Sequence, residues 1–154
     1  MKVLLLEDDP FRMQAFQEVL VAADIDHTMC ADPIDFILEL VTNAEDIQAI
    51  SLDHDLSRIE RPCGSLTFEC GCAVVAVMKR IKPFCPVILH SQNEFAAATM
   101  TTALREAAWN VAVVTDPPEL EGTWIENSWI GLVKAAMGTA KQKASRKAKR
   151  SLVL

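Results

Sequence analysis

A repeating alternation constrains this chain more than any other feature. Short β-favouring apolar runs end in polar clusters, and each is followed by a stretch with helical periodicity. Val3 to Leu6 runs into Glu7-Asp8-Asp9, and Phe11 to Ala23 follows as a helix with Met13, Phe16 and Leu20 on one face. Asp26 to Cys30 reads as a short, weak strand. Asp32-Pro33 then supplies an N-cap and first-turn proline for a helix whose Ile34, Ile37, Leu38 and Val41 are expected to face inward. Ile47 to Leu52 is a buried strand, and a helix over Ala73 to Ile81 comes after a loop from Ser57 to Gly71. Pro83 to Pro86 turns the chain into the strand Val87-Ile88-Leu89-His90. Asn93 caps the next helix, with Phe95, Met100 and Leu104 as its apolar side. Val111 to Val114 is the last strand and Asp116-Pro117-Pro118 ends it. Trp129, Leu132, Val133 and Ala136 mark a final amphipathic helix.

Strands alternating with helices imply an α/β fold, a five-stranded parallel sheet doubly wound into a three-layer sandwich with right-handed crossovers. The length of 154 residues and a hydrophobic fraction of 51% suffice for one sizeable core and not for two ordinary domains. Residues 1–140 are therefore read as the domain and 141–154 as a basic tail of low complexity. The longest apolar run, Cys72 to Met78, is far shorter than the roughly 20 residues of a membrane helix, and Glu7 cuts off the apolar N-terminus. Five cysteines without a small-secreted-domain pattern suit a reducing compartment. The expectation is a soluble cytoplasmic protein with no membrane partner. The net charge of −6 hides an asymmetry, since residues 127–154 carry 7 of the 15 Lys and Arg and no acid.

In open parallel sheets the binding crevice lies outside the carboxyl ends of the strands. There the sequence places Glu7-Asp8-Asp9, Asp53-His54-Asp55, His90-Ser91-Gln92-Asn93 and Thr115-Asp116. Carboxylates from neighbouring strands, Glu7 and Asp8 with Asp53, are the oxygen set that Mg²⁺ takes, and without a cation they would raise one another's pKa. The bland alternative is that such acids are solvated or cap the helices that follow. Two of the three histidines, His54 and His90, stand at strand ends, each read as one residue past the buried part of its strand. Imidazoles there suit general acid and base work on a phosphate ester, with Ser91, Asn93 and a helix N-terminus as anion donors. His27 is read as structural.

With these residues in place, the sequence resembles the receiver domains of response regulators, a flavodoxin-like fold, over residues 2–138. Val3-Leu4-Leu5-Leu6-Glu7-Asp8-Asp9-Pro10 is similar to their first strand and acidic pair, Asp53 falls at the phospho-accepting position, and Ser91 at the hydroxyl position. The resemblance implies Mg²⁺ on Glu7 and Asp8 and phosphate on Asp53 and Ser91. It departs where receivers carry a lysine at the end of strand five, because Asp116 stands there and phosphoryl charge would lack its usual partner. The Ser57 to Gly71 segment is also longer than the receiver loop. Leu52-Asp53-His54-Asp55-Leu56 and His90-Ser91-Gln92-Asn93 resemble more closely the receiver-like family predicted to process cyclic phosphates. That resemblance implies a phosphoesterase or sensor acting on cyclic phosphate ends of nucleotides or RNA. His54 and His90 would be central, Asp53 and Asp55 would share the catalytic site, and Ser91 and Asn93 would bind the substrate. Mg²⁺ is the implied cofactor, without being a requirement.

Other features compete for a role. Cys63, Cys70 and Cys72 would suit zinc, perhaps with a histidine, but Cys-x-Cys with an odd third is weak spacing, and small loop residues are the plainer reading, with Cys30 and Cys85 in the core. The basic tail would steer the acidic domain toward nucleic-acid phosphates or simply be solvated. Trp124 and Trp129 read as core or a homodimer face rather than a base-stacking platform. Two further functions stand beside the phosphoesterase: a phosphorelay receiver modified on Asp53, and a phosphate-ligand binding module without turnover.

Overall fold

The computed structural model describes residues 2–56, 70–91, 93–114 and 123–138. The strands are β1 (Lys2–Leu6), β2 (His27–Cys30), β3 (Ile47–Leu52), β4 (Val87–His90) and β5 (Val111–Val114). All pair in parallel in the order β2-β1-β3-β4-β5. The helices are α1 (Pro10–Ala22), α2 (Pro33–Thr42), α3 (Cys72–Met78), α4 (Glu94–Glu106) and α5 (123–138), and α5 contains a π-helical stretch over Ile125–Trp129. Among the described residues no helix is long and apolar enough to cross a membrane. The expectations on Cys63, on the strand end at Asp116 and on the tail from 141 lie outside the described residues.

Successive strand residues face opposite sides, so the near-continuous apolar runs feed two cores. Leu4, Leu6, Ile50, Leu52, Val87, Leu89 and Val111 pack with Phe36 and Leu40 of α2, Val74 and Met78 of α3, and Met100 and Leu104 of α4. Val3, Leu5, Ala49, Ile88 and Val114 face the other way, onto Phe16 and Leu20 of α1 and Trp124, Trp129 and Val133 of α5. Both tryptophans are thus core residues, and Cys30 and Cys85 are buried free thiols, pushed up to about 11 and about 12 by their burial.

Two helix faces differ from the expectation. α2 buries Pro33, Phe36 and Leu40 and leaves Ile34, Leu38 and Val41 exposed, with Ile37 only partly covered. This helix is apolar over more than half its circumference, so periodicity admitted two stripes, and the sheet took the one carrying Phe36. On α4, Met100 and Leu104 are buried but Phe95 is 84% exposed. Five residues of helix rotate a side chain by about 140°, which takes Phe95 off the face that Met100 occupies. The caps follow the sequence reading. The Asp32 and Asn93 side chains accept from Ile34 N and Ala96 N, and Asp9 caps α1 by accepting from Phe11 N and Arg12 N.

Candidate functional site at the strand ends

The two-residue period of the strands builds the site. Glu7 continues the Val3, Leu5 row of β1, Ser51 and Asp53 continue the Ala49 row of β3, and His90 continues the Ile88 row of β4. Four polar residues therefore emerge on the α1/α5 side at the carboxyl edge. Glu7, Ser51, Asp53 and His90 are all buried. Register brings them together, since Leu6 pairs with Leu52, Leu52 pairs with Leu89, and Asp53 N donates to Leu6 O at 3.0 Å.

Buried charge must be paired, and α1 supplies the partner. Arg12 Nη2 donates to Glu7 Oε1 at 2.9 Å and to Asp53 Oδ2 at 2.8 Å. Glu7 Oε1 also accepts from Asp8 N at 3.0 Å and Asp9 N at 2.9 Å, and Asp53 Oδ1 accepts from His54 N at 2.7 Å. His90 Nε2 lies 3.3 Å from Glu7 Oε2, and neither buried atom has an aligned hydrogen bond. On the far side of the ring, His90 Nδ1 is 2.8 Å from Ser51 Oγ, which accepts from Trp129 Nε1 at 2.8 Å. The Ser51 hydroxyl thus stands between the indole donor of Trp129 and the imidazole Nδ1 of His90. Phe16 meets the imidazole edge-on at 5.0 Å and Trp124 stacks on it at 5.9 Å.

The electrostatics separate the two acids. Burial works to raise Glu7, but His90, Arg12 and the Asp9 amide outweigh it and hold the carboxyl below its ordinary value. Burial, with repulsion from Glu7, pushes Asp53 up to about 6 despite the opposing pull of His90 and Arg12. Two carboxyls at one edge are thus poised differently, one held ionised and one titrating near neutrality.

The sequence-predicted residues divide into two groups. Glu7, Asp8 and Asp53 each offer an oxygen within 4.8 Å of the others, a donor set suited to a hard cation, and Arg12 already bridges two of them. The histidines are not equivalent as the sequence reading had them. His90 is the last residue of β4 and fully buried, whereas His54 lies beyond the end of β3, partly exposed, with Nδ1 2.5 Å from Asp55 Oδ1 and Nε2 3.8 Å from Cys72 Sγ. Asp55 is exposed. Ser91 is buried, its Oγ accepting from Asn93 N at 3.1 Å, and Asn93 spends its Oδ1 on the α4 cap. His27 has a backbone partner, its Nδ1 lying 3.0 Å from Ile25 O. Cys70 and Cys72 are joined as a disulfide, Cα atoms 5.2 Å apart, where the sequence reading expected free thiols.

Sequence reasoning missed Arg12, Ser51 and Trp129. Arg12 is the only Lys or Arg between Lys2 and Arg58, a signal that was there to use. It also answers the missing lysine, because a cation does stand at the acidic edge, delivered from α1 rather than from β5. Ser51 was the one polar residue in the second half of an apolar strand, and Trp129 offered only a core pattern.

The parallel order β2-β1-β3-β4-β5 with an acidic edge defines the chain as a receiver-fold protein. A response regulator receiver domain from Methanospirillum hungatei superposes with a TM-score of 0.65 at 10% identity, covering 92% of this chain and 97% of that one. One from Rhodospirillum rubrum gives 0.61 at 14% identity, covering 88% and 94%. The Mn(2+)-bound form of response regulator Rcp1 gives 0.56 at 23% identity, covering 82% and 92%. No curated protein matches the sequence. The family described as Cyclic-phosphate processing Receiver domain matches residues 3–106, and the chain belongs to that family.

Proposed function

We propose that this receiver domain opens cyclic phosphodiesters to phosphate monoesters, with a nucleotide or an RNA end as the substrate class. The observation that carries the reading is the convergence at one sheet edge of Arg12 on Glu7 and Asp53 and of His90 on Glu7, within the segment that matches the cyclic-phosphate family.

In the proposed reaction a water oxygen bonds to phosphorus, one ring P–O bond breaks, and the displaced oxygen takes up the proton that water gives. His54, partly exposed at the rim, is the shuttle. Asp55 holds its Nδ1, so Nε2 accepts the water proton and returns it to the leaving oxygen. His90 is buried and acts through Glu7, which makes it a positioning residue. Ser91 Oγ, the Asn93 side-chain amide and the first amides of α4 orient the phosphate. Glu7, Asp8 and Asp53 would repel that anion, so their charge has to be offset. They would hold Mg²⁺, which when bound neutralises them and polarises a phosphate oxygen. Response regulator Rcp1, which shares the fold, has an Mn(2+)-bound form, and that supports a divalent ion as the group these acids would take.

The test is turnover of 2′,3′-cyclic and 3′,5′-cyclic nucleotides and of RNA bearing a cyclic-phosphate end, with Mg²⁺ and with a chelator. Turnover in the wild type that is lost in His54→Ala and reduced in His90→Ala is expected. A wild type that leaves every substrate intact overturns the reading. RNA ends turned over faster than mononucleotides, with a rate that falls with salt, would bring in the basic tail at 141–154.

A second reading has its own support. Asp53 follows β3 with Glu7 and Asp8 beside it, the arrangement a phospho-accepting aspartate needs. Incubation with acetyl phosphate and Mg²⁺ followed by intact mass tests it, and one added phosphate that Asp53→Asn abolishes would favour a phosphorelay role. Tight binding of a cyclic nucleotide without product would instead mark a sensor.

A further inference from the structure

On the other side of Asp53 a second cluster uses none of the buried acids. The segment Cys70-Gly71-Cys72 is laid against the end of β3 by an antiparallel bridge between Asp55 and Cys70 and by Gly71 N donating to His54 O at 2.9 Å. Gly71 is required for that approach, because a Cβ at this position would stand 2.2 Å from Asp53 O. The turn is therefore pressed onto the strand end, and it carries one cysteine on each side of the glycine. Cys70 Sγ, Cys72 Sγ and a ring nitrogen of His54 all lie within 4.8 Å of one another.

The histidine is already dressed as a metal ligand. Asp55 Oδ1 sits 2.5 Å from Nδ1, which leaves Nε2 as the coordinating nitrogen, and Nε2 faces Cys72 Sγ at 3.8 Å. A carboxylate on one ring nitrogen and the metal on the other is the usual outer-shell arrangement. Around a tetrahedral ion with Zn–S of about 2.3 Å and Zn–N of about 2.0 Å, ligand atoms stand roughly 3.5 to 3.8 Å apart. The His54 Nε2 to Cys72 Sγ distance of 3.8 Å already falls in that range, and the two sulfurs have to part by roughly 2 Å once their bond is opened. Two sulfurs and one imidazole with an open fourth position form a soft, borderline site that selects Zn²⁺ over Mg²⁺.

We propose that Cys70, Cys72 and His54 are a redox-gated Zn²⁺ site. As a disulfide the cysteines have no thiolate to offer. A dithiol reductant opens the S–S bond, itself becoming a disulfide while Cys70 and Cys72 each gain a hydrogen. Zn²⁺ then displaces both thiol protons and takes His54 Nε2 as its third ligand, with water as the fourth. The metal and the proposed proton shuttle use the same nitrogen, so an occupied site silences His54. The cluster thereby reports compartment redox state and zinc supply to the neighbouring edge.

The experiment is Co²⁺ titration of the full chain, reduced and then freed of reductant without air. One equivalent should produce the thiolate-to-cobalt charge-transfer band and the strong visible bands of tetrahedral Co²⁺, both reversed by Zn²⁺. Cys70→Ser, Cys72→Ser and His54→Gln should each weaken binding at least tenfold, and Asp55→Asn by a smaller factor. The oxidised chain should show no band. Absence of the band in the reduced wild type overturns the proposal, as does a band that survives His54→Gln and Cys72→Ser in folded protein. The spectrum needs no turnover, so it stands or falls apart from the phosphoesterase reading.

Discussion

His90 and His54 end up at the carboxyl ends of adjacent strands, yet they inhabit opposite surroundings. His90 is enclosed by Phe16 and Trp124 and held between Ser51 and Glu7. His54 rests on the rim between an exposed carboxylate and the Cys70–Cys72 turn. The difference teaches that a strand terminus has no chemistry of its own. One residue of register decides whether an imidazole continues a buried row or steps past it. In the first case it is part of the architecture, and in the second it is available to a substrate or a metal.

The sharpest way to break the comparison is to strip charge from the buried side. Arg12→Ala leaves Glu7 and Asp53 facing each other, and we expect a loss of about 4 kcal/mol in urea unfolding. Added Mg²⁺ should restore more stability to this variant than it adds to the wild type. An Arg12→Ala protein as stable as the wild type, and indifferent to Mg²⁺, would mean the acids are not coupled through that guanidinium. His90→Ala should cost about 3 kcal/mol, because it opens a cavity and removes the partners of Glu7 and Ser51.

Asp53 gives a pH signature. Its folded value of about 6 exceeds the ordinary 3.8, so between those pH values the folded state binds the extra proton. The Asp53 contribution to stability is thus greatest in acid and is lost as pH rises through about 6. Glu7 has the opposite sign, since its lowered value supports the fold above the ordinary carboxyl range and that support goes as pH falls. Asp53→Asn should flatten the decline between roughly pH 4 and 6 and raise neutral stability by about 3 kcal/mol. A slope unchanged in Asp53→Asn would show that another group carries it. Over the same interval the affinity of the proposed Mg²⁺ site should climb, because the cation would need the ionised carboxylate.

Smaller effects sharpen the contrast. Trp129→Phe deletes the donor to Ser51 and leaves a small cavity where the indole was fully buried, for about 2 kcal/mol, readable by thermal melting. His54→Ala, on the rim, should change stability by under about 0.5 kcal/mol while abolishing any turnover. If His54→Ala instead destabilises as much as His90→Ala, the two histidines are alike after all.

Much of this was legible in the residues themselves. The bounds of β3 and β4, the caps at Asp32 and Asn93, and the core role of Trp129 follow from local pattern and cap chemistry, which are short-range. The placement of Glu7, Asp53 and His90 on a single face is implicit in strand alternation, once Val3, Leu5, Ala49 and Ile88 are taken as one layer. Which stripe of α2 turns inward was not implicit, because Ile34 and Phe36 are both apolar and only the sheet surface chooses between them.

By itself, then, the sequence determined the strand-helix alternation, the acidic carboxyl edge and the family, since these rest on residue types and periods along one segment. Only the tertiary structure decided that Arg12 is the cation between two buried acids, that Ser51 and Trp129 back His90, and that Cys70 and Cys72 meet His54. Those pairings span from 5 residues, Glu7 to Arg12, to 78, Ser51 to Trp129. The register of strands and the seating of helices on them bring such partners into contact, and neither is written in any local pattern.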